Sequence, residues 1–526
     1  MHRRYAPFWL SCLVVCSTVQ AQSSRIISNA DLRREGLERR WSAHLAVDPS
    51  RAELKHLMLH VSSRNVRSLS EVNYKANSFD YTPMLKDSVG NQLGPNGALT
   101  AAEVHLGQLV VLGIPATLMS KTVDGVSVHT VSCTDGRIRF RPSDRDTYGE
   151  LLGAEGIDAA AEQRVESLTA AQIESTATRI DVPRMRLFAT ASNAVIHAVD
   201  GENGQTLWQR RVGSDLFPSF RVAANEEHLA VVNGSTLYIL DQETGRELWH
   251  RATVSIPGAA PALSAEYAFV PTVTAGLEVY VLDASHAPKT IYHASGRNVV
   301  QPVVTTRSVT WPTNRGHMYV AEANGIGLRF RVEANREIVA QAGFRPPNLV
   351  YITSIDGYVY CVDDMKRQVI WNVSLGTPMS ESPVAAGDAV YVVTDEAELM
   401  SLDALTGEPI WGPALNIKRL LTISEDRVYA LDRRGDLVII STETGARMRT
   451  CSLNGTAISF VNTQTDRLFL TNPQGLVVCI HEDKHEFPHL HVDVGEATSE
   501  DADAPVKKND PAAKPKVDEA DPFGGF

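Results

Sequence analysis

Leu402-Asp403-Ala404-Leu405-Thr406-Gly407-Glu408-Pro409-Ile410-Trp411 is the stretch whose reading decides the fold. Asp403 ends a short apolar run, where its carboxylate can accept backbone N–H bonds across a turn. Thr406-Gly407 then supplies the φ > 0 residue that such a turn commonly needs. Trp411 starts the next strand. The same word recurs from Ala198-Val199-Asp200 through Gly204 to Trp208 and from Leu240-Asp241 through Gly245 to Trp249. It recurs again from Val362-Asp363 to Trp371, with Arg367 in the glycine position. In all four copies the Asp precedes the Trp by eight residues.

Working outward, degenerate copies fill the intervals: Leu282-Asp283 to Ile291-Tyr292, Ala321-Glu322 to Phe330, Ile440-Ser441 to Gly445, and a last copy with His481 in the Asp position. The register positions are thus 200, 241, 283, 322, 363, 403, 441 and 481, spaced by 38 to 42 residues. Eight such units are the signature of a closed radial array. Within one unit, 382–386, 389–393, 399–402 and 409–411 read as four short strands, which make one propeller blade. Four of the six tryptophans after the leader share one register, so they read as packing between blades, each burying on the order of 150–250 Å². The predicted fold class is all-β, an eight-bladed β-propeller of four-stranded blades over 182–494. An open solenoid is disfavoured because it would need distinct polar caps.

The remaining segments read differently. Residues 1–21 have a basic start, an apolar stretch and a small-residue cleavage site, and predict a secretory signal. Lipidation at Cys16 would want a small residue where Val15 stands. Within 22–62, Asp31 to Trp41 reads as a charged helix with Asn29 as its N-cap, and Leu54 to Val61 as a strand that helps to close the ring. Residues 63–181 carry no repeat and predict a mixed insertion or accessory domain. In it Asp135-Gly136 signals a hairpin between 126–133 and 137–141, and Ala159 to Glu174 reads as a helix. Residues 495–526 are acidic and nearly free of large apolar side chains, the composition of a disordered tail. Its last residues, Asp521 to Phe526, read alternatively as a short docking motif.

Composition bounds the function. The chain has 526 residues, with 50 Lys plus Arg against 62 Asp plus Glu and a formal charge of −12. Such acidity offers no footprint for a phosphate backbone, which argues against nucleic acid. No run of about 18 apolar residues follows the leader, so no membrane span is predicted. Cys133, Cys361, Cys451 and Cys479 are too sparse for a disulfide scaffold, although export would permit Cys361, Cys451 and Cys479 to pair.

The pattern of apolar residue, Asp, two or three residues, Thr-Gly and Trp resembles the PQQ-like repeat over about 182–494. Two families share it: the quinoprotein dehydrogenases, and non-enzymatic propellers similar to BamB of the outer-membrane assembly machinery. The enzymes would require a quinone held over a Trp floor beneath adjacent cysteines, with Ca²⁺ bound by carboxylate and amide oxygens. No adjacent cysteine pair and no Cys-x-x-Cys-His haem site occur after the leader, and acids such as Glu381 and Asp395 match no ligand set.

His481-Glu482-Asp483-Lys484-His485 fits H-E-x-x-H by letter, but zinc hydrolysis needs both histidines on one helix face, and a strand end is expected here. His485, His489 and His491 form the alternative loose metal set, and His197 reads as a core or edge residue. Arg434-Gly435-Asp436 reads as a turn. The resulting expectation has no catalytic, cofactor or metal residues. Asp200, Gly204, Trp208, Asp241, Gly245, Trp249, Asp283, Asp363, Trp371, Asp403, Gly407, Trp411 and Gly445 form a structural motif. The expected function is an exported scaffold, periplasmic, envelope-associated or extracellular. It would bind envelope proteins or peptides through propeller loops and blade edges, with peripheral outer-membrane association and no cofactor.

Overall fold

The computed structural model describes residues 26–86, 89–146, 148–454 and 458–491. The leader and the acidic tail, read above from sequence, lie outside them. Among the described residues, seven four-stranded antiparallel sheets and one of five strands follow one another, and a three-stranded sheet stands in the 63–181 region. We number the eight larger sheets 1 to 8 in chain order of their repeats. The unit quoted first is sheet 6: Val384–Ala386, Ala389–Val393, Glu398–Asp403 and Pro409–Leu415.

Their strands follow from apolar alternation with tight turns between. The third strands, such as Leu437–Ser441 of sheet 7, are buried on both faces, because each sheet is covered by neighbours on either side. Such strands read as continuous apolar runs.

Sheet 8 is closed by the opposite end of the chain. Ile458–Ser459, Leu468–Thr471 and Leu476–Glu482 come from the last repeat, and the fourth strand is Leu37–His44, antiparallel to Leu476–Glu482 from Leu37↔Glu482 to His44↔Leu476. This corrects two expectations. The helix α1 is only Asn29–Arg34, capped by Ser28, whose Oγ accepts from Asp31 N at 3.1 Å. Trp41 therefore lies in a strand. Leu54 to Val61 belongs to Leu54–Tyr74, at the inner end of sheet 1, and is not the closing strand. The misreading has a physical cause. Arg39 sits at a half-buried position and donates to Ile27 O at 2.7 Å, so the fully buried residues are Leu37 and Trp41, four apart, a helical spacing.

The 63–181 region grows out of sheet 1. Leu54–Tyr74 and Ser175–Ala191 pair along the sheet, slip register between Val61 and Val66, and pair again to Tyr74↔Ser175. Beyond the slip stand helix α2 (Gly94–Val111), helix α3 (Gly153–Ala170) and the sheet of Asn77–Tyr81, Val126–Cys133 and Ala116–Val123. Helix α3 begins six residues before the position read from sequence, and Ser175 already lies in a strand. Asp135-Gly136 is not a hairpin. Val126–Cys133 pairs with Ala116–Val123, and Gly136–Phe140 crosses to pair with Leu54–Tyr74. The tight turn is Asp124-Gly125, where both residues have positive φ, 49° and 82°, as a two-residue hairpin demands. Gly136 instead lets the backbone approach the Tyr74 hydroxyl, which a Cβ would strike.

This region is an internal duplication. Positions 59 apart repeat one design: Gly94 N donates to Pro83 O and Gly153 N to Pro142 O, both at 3.1 Å. Leu93 N donates to Leu85 O and Leu152 N to Asp144 O, both at 2.9 Å. The bridges Lys86↔Gln92 and Arg145↔Leu151 correspond in the same way. The two copies share one core, with Ala102, Leu109 and Ile114 facing Ala161, Leu168 and Ile173.

Candidate functional site

The motif residues lie at the seams between sheets. Asp403 Oδ1 accepts from Leu405 N (2.9 Å), Thr406 N (2.7 Å) and Thr406 Oγ1 (3.0 Å). Asp241 accepts from Thr244 N (2.8 Å) and Oγ1 (2.7 Å), Asp200 from Glu202 N (2.8 Å), and Asp363 from Lys366 N (2.8 Å). Those turn bonds hold the carboxyls of Asp241, Asp363 and Asp403 below the usual carboxylate range, against the opposing effect of burial. Asp283 differs: its exposed carboxylate lies 3.8 Å from Nε2 of His228 instead of capping its own turn.

Each register tryptophan reaches into the next sheet. Trp208 Nε1 donates to Gln242 O (3.1 Å), Trp249 to Leu282 O (2.8 Å), Trp371 to Ala404 O (3.3 Å) and Trp411 to Thr442 O (2.6 Å). Trp41 does the same across the closure, donating to Gly201 O at 2.9 Å. It fills the position that the last repeat lacks, and sequence reading missed it because it stands more than 400 residues away from that repeat.

The glycines are bound to this arrangement. A Cβ at Gly204 would lie 2.5 Å from Cε3 of Trp41, and at Gly245 or Gly407 it would lie 2.6 Å from Cε3 of Trp208 or Trp371. Gly445 faces Trp411 in the same way. Their positive φ is one requirement and the indole face is a second. Arg367 also has positive φ, 59°, but the preceding sheet offers Phe330 in place of an indole.

The candidate metal residues are committed elsewhere. His481 and Glu482 end a strand, not a helix. Nδ1 of His481 lies 2.8 Å from Glu482 O and 3.1 Å from His485 O. Glu482 accepts from Tyr429 Oη at 2.9 Å and from the Ser424 hydroxyl. The rings of His485 and His489 lie tilted against each other with centroids 4.6 Å apart, while Nε2 of His491 lies 2.9 Å from Ile423 O. Among the described residues no group of three His, Cys, Asp or Glu is placed to hold a metal ion. His197 is buried in sheet 1.

The other singled-out groups are likewise engaged. Asp432 accepts from Arg434 N and Asp436 N, which makes Arg434-Gly435-Asp436 a turn. Glu381 pairs with Arg419 at 2.6 Å, and Asp395 accepts from Ser380 N at 3.0 Å. Cys133, Cys361, Cys451 and Cys479 are buried free thiols, so the pairing that export would permit among Cys361, Cys451 and Cys479 is not made. Burial pushes Cys361 and Cys479 up to about 12, so neither is a nucleophile at neutral pH.

Two polar constellations were not visible in sequence. At the mouth of the central channel, Arg221 Nε donates to Gln301 Oε1 at 2.9 Å and Nη2 to Gln341 Oε1 at 3.2 Å. Between the duplicated region and sheet 8, Arg139 donates to Glu486 through Nη1 (2.8 Å) and Nη2 (2.6 Å), and to Glu71 through Nε (2.7 Å). The Arg139 bonds bring the Glu486 carboxyl down to about 2.

The family described as outer membrane protein assembly factor BamB matches residues 156–311 and 329–502. The outer membrane protein assembly factor BamB of Shewanella oneidensis is 22% identical over 306 residues, covering 54% of this chain and 76% of that protein. Among solved structures, BamB from Moraxella catarrhalis has a TM-score of 0.48 at 15% identity, covering 56% of this chain and 93% of its own. The computationally designed Ika8 protein has a TM-score of 0.46 at 15% identity, covering 56% and 92%. With more than half of its length matched, the chain belongs to the family described as outer membrane protein assembly factor BamB.

Proposed function

We propose that this protein is a non-enzymatic scaffold of the cell envelope, an eight-bladed ring that holds other proteins or peptides at its loops and exposed edges and acts in outer-membrane protein assembly. The observation that supports this reading most is the family match together with the use made of the repeat residues: the Asp, Gly and Trp side chains of the motif are spent on turns and seams. On this reading 63–181 is an accessory module carried by sheet 1. Its outer strand Ala116–Val123 is mostly exposed and lies at the edge of its sheet, an offer of unpaired backbone to a partner strand.

The test is chemical cross-linking in envelope preparations from cells carrying the tagged protein, read by mass spectrometry. Cross-links to outer-membrane assembly proteins that vanish when 63–181 is replaced by a short turn would support the assignment; cross-links confined to unrelated proteins would contradict it.

A second reading, the quinoprotein dehydrogenase, follows from the repeat alone. Calorimetric titration with pyrroloquinoline quinone and Ca²⁺, read with dye-linked alcohol oxidation, separates the two. The scaffold reading predicts neither binding nor turnover, and stoichiometric binding with turnover would replace it.

A further inference from the structure

We propose that the mouth of the central channel is a carboxylate-binding site in which Arg221 is the anchoring cation and Gln301 and Gln341 hold its guanidinium in place. Arg221 precedes the innermost strand of sheet 2, Gln301 that of sheet 4 and Gln341 that of sheet 5. Sheets 2 and 5 are not neighbours in the ring, so a side chain that starts beside one and bonds to the other lies across the channel. Gln301 is fixed in turn, since its Nε2 donates to Pro261 O at 2.7 Å beside sheet 3. Four successive sheets thus contribute to one polar cluster.

The cluster lacks a counter-charge. Arg221 is mostly buried, yet both of its partners are neutral amide oxygens, and among the described residues no carboxylate lies within ion-pair distance of it. Burial alone lowers its affinity for its proton, with no acid acting in the other direction. The chain is not short of acids, and two of its other withdrawn arginines have them: Arg329 has Asp364 at 3.3 Å, and Arg186 has Glu243 at 2.7 Å. A desolvated cation without a partner is unfavourable, and an arriving carboxylate supplies the missing charge with bidentate geometry. A guanidinium pre-positioned by two amides loses little freedom on binding.

His56 reports on the site. It sits in the innermost strand of sheet 1, and its pKa is lowered first by burial and then by the positive charge of Arg221, with Lys55 adding a smaller effect. Lys55 is itself paired with Glu53. Neutralising Arg221 should therefore raise the His56 pKa. The proposal is independent of the scaffold reading, because a small acid or an acidic side chain of a bound protein would satisfy it equally.

The test titrates the full chain with succinate, with an end-capped Asp-Glu tetrapeptide and with sulfate, by calorimetry and by NMR of the His56 ring. Either carboxylate probe should bind with a Kd below about 1 mM, and Arg221→Gln should weaken it about tenfold or more. Wild-type His56 should titrate at higher pH when saturated, and in Arg221→Gln it should do so without ligand. Tighter binding of succinate assigns the site to free acids, and tighter binding of the peptide assigns it to acidic side chains. No binding by either probe, equal binding by Arg221→Gln, or sulfate binding as tight as carboxylate would overturn the proposal. If Arg221→Gln does not fold, the wild-type His56 titration decides: an unmoved pKa overturns it.

Discussion

The seams of the ring are not all filled in the same way. Between sheets 8 and 1, 1 and 2, 5 and 6, and 6 and 7, an indole lies against a glycine of the next turn. Between sheets 3 and 4 the register residue is Tyr292, and the deficit is made up from the other side. Trp311, outside the register and fully buried, stacks on Tyr292 at 5.9 Å and on Tyr319 at 5.5 Å, and donates to Ala275 O at 3.2 Å. Between sheets 4 and 5 a polar cluster adds to the apolar packing: Arg329, Ser308 and Thr305 meet Asp364. The difference teaches that the glycine serves the indole that lies against it. Where the indole is missing the glycine is dispensable, as Arg367 shows.

This comparison can be broken by substitution. Trp41→Ala, Trp371→Ala and Trp411→Ala should each cost about 3–5 kcal/mol, because these rings are 8–9% exposed and bridge two sheets. Trp41→Ala should also free the closing strand, seen as faster amide exchange over Leu37–His44. Trp249→Ala should cost less, since its ring is only partly buried and its seam lacks the facing glycine. Equal losses at Trp249 and Trp411 in denaturant titrations would contradict the role given to the facing glycine.

Next in size, Gly245→Ala should cost about 2–4 kcal/mol, from positive φ and from collision with Trp208. Arg367→Gly should go the other way, stabilising by up to about 1 kcal/mol as left-handed strain is relieved, partly offset by a freer unfolded chain.

The smallest effect is expected at the link between the duplicated region and sheet 8. Glu486 has a folded pKa of about 2 against an ordinary 4.5. Its contribution is therefore present above about pH 4.5 and is lost as pH falls towards 2. Glu486→Gln should narrow the stability difference between pH 5 and pH 2 relative to wild type; an unchanged difference would remove this link from the account.

The legible part of the fold is the part carried by local spacing. Asp403 to Trp411 announces itself because turn, glycine and ring lie within one decapeptide, and the repeat multiplies that signal. Trp41 was illegible because its partners, Cys479 in register and Gly201 across the seam, are brought to it only by ring closure. The same holds at the channel mouth. Arg221, Gln301 and Gln341 stand 80 and 40 residues apart, at the same place in their repeats, two residues before the innermost strand, but that spacing does not show that the three side chains meet, which follows from the curvature of the ring. Asp124-Gly125 and Asp135-Gly136 are identical dipeptides, and only the strands on either side decide which one turns.

The central claim is that indole and glycine act as one seam unit, and a double-mutant cycle on Trp371 and Gly407 tests it most directly. With Trp371 already Ala, Gly407→Ala should lose the collision and retain only the φ strain, giving a coupling of about 1–2 kcal/mol between the two positions. Additivity within about 0.5 kcal/mol would mean that the glycine serves its own turn alone, and the seam account would fail.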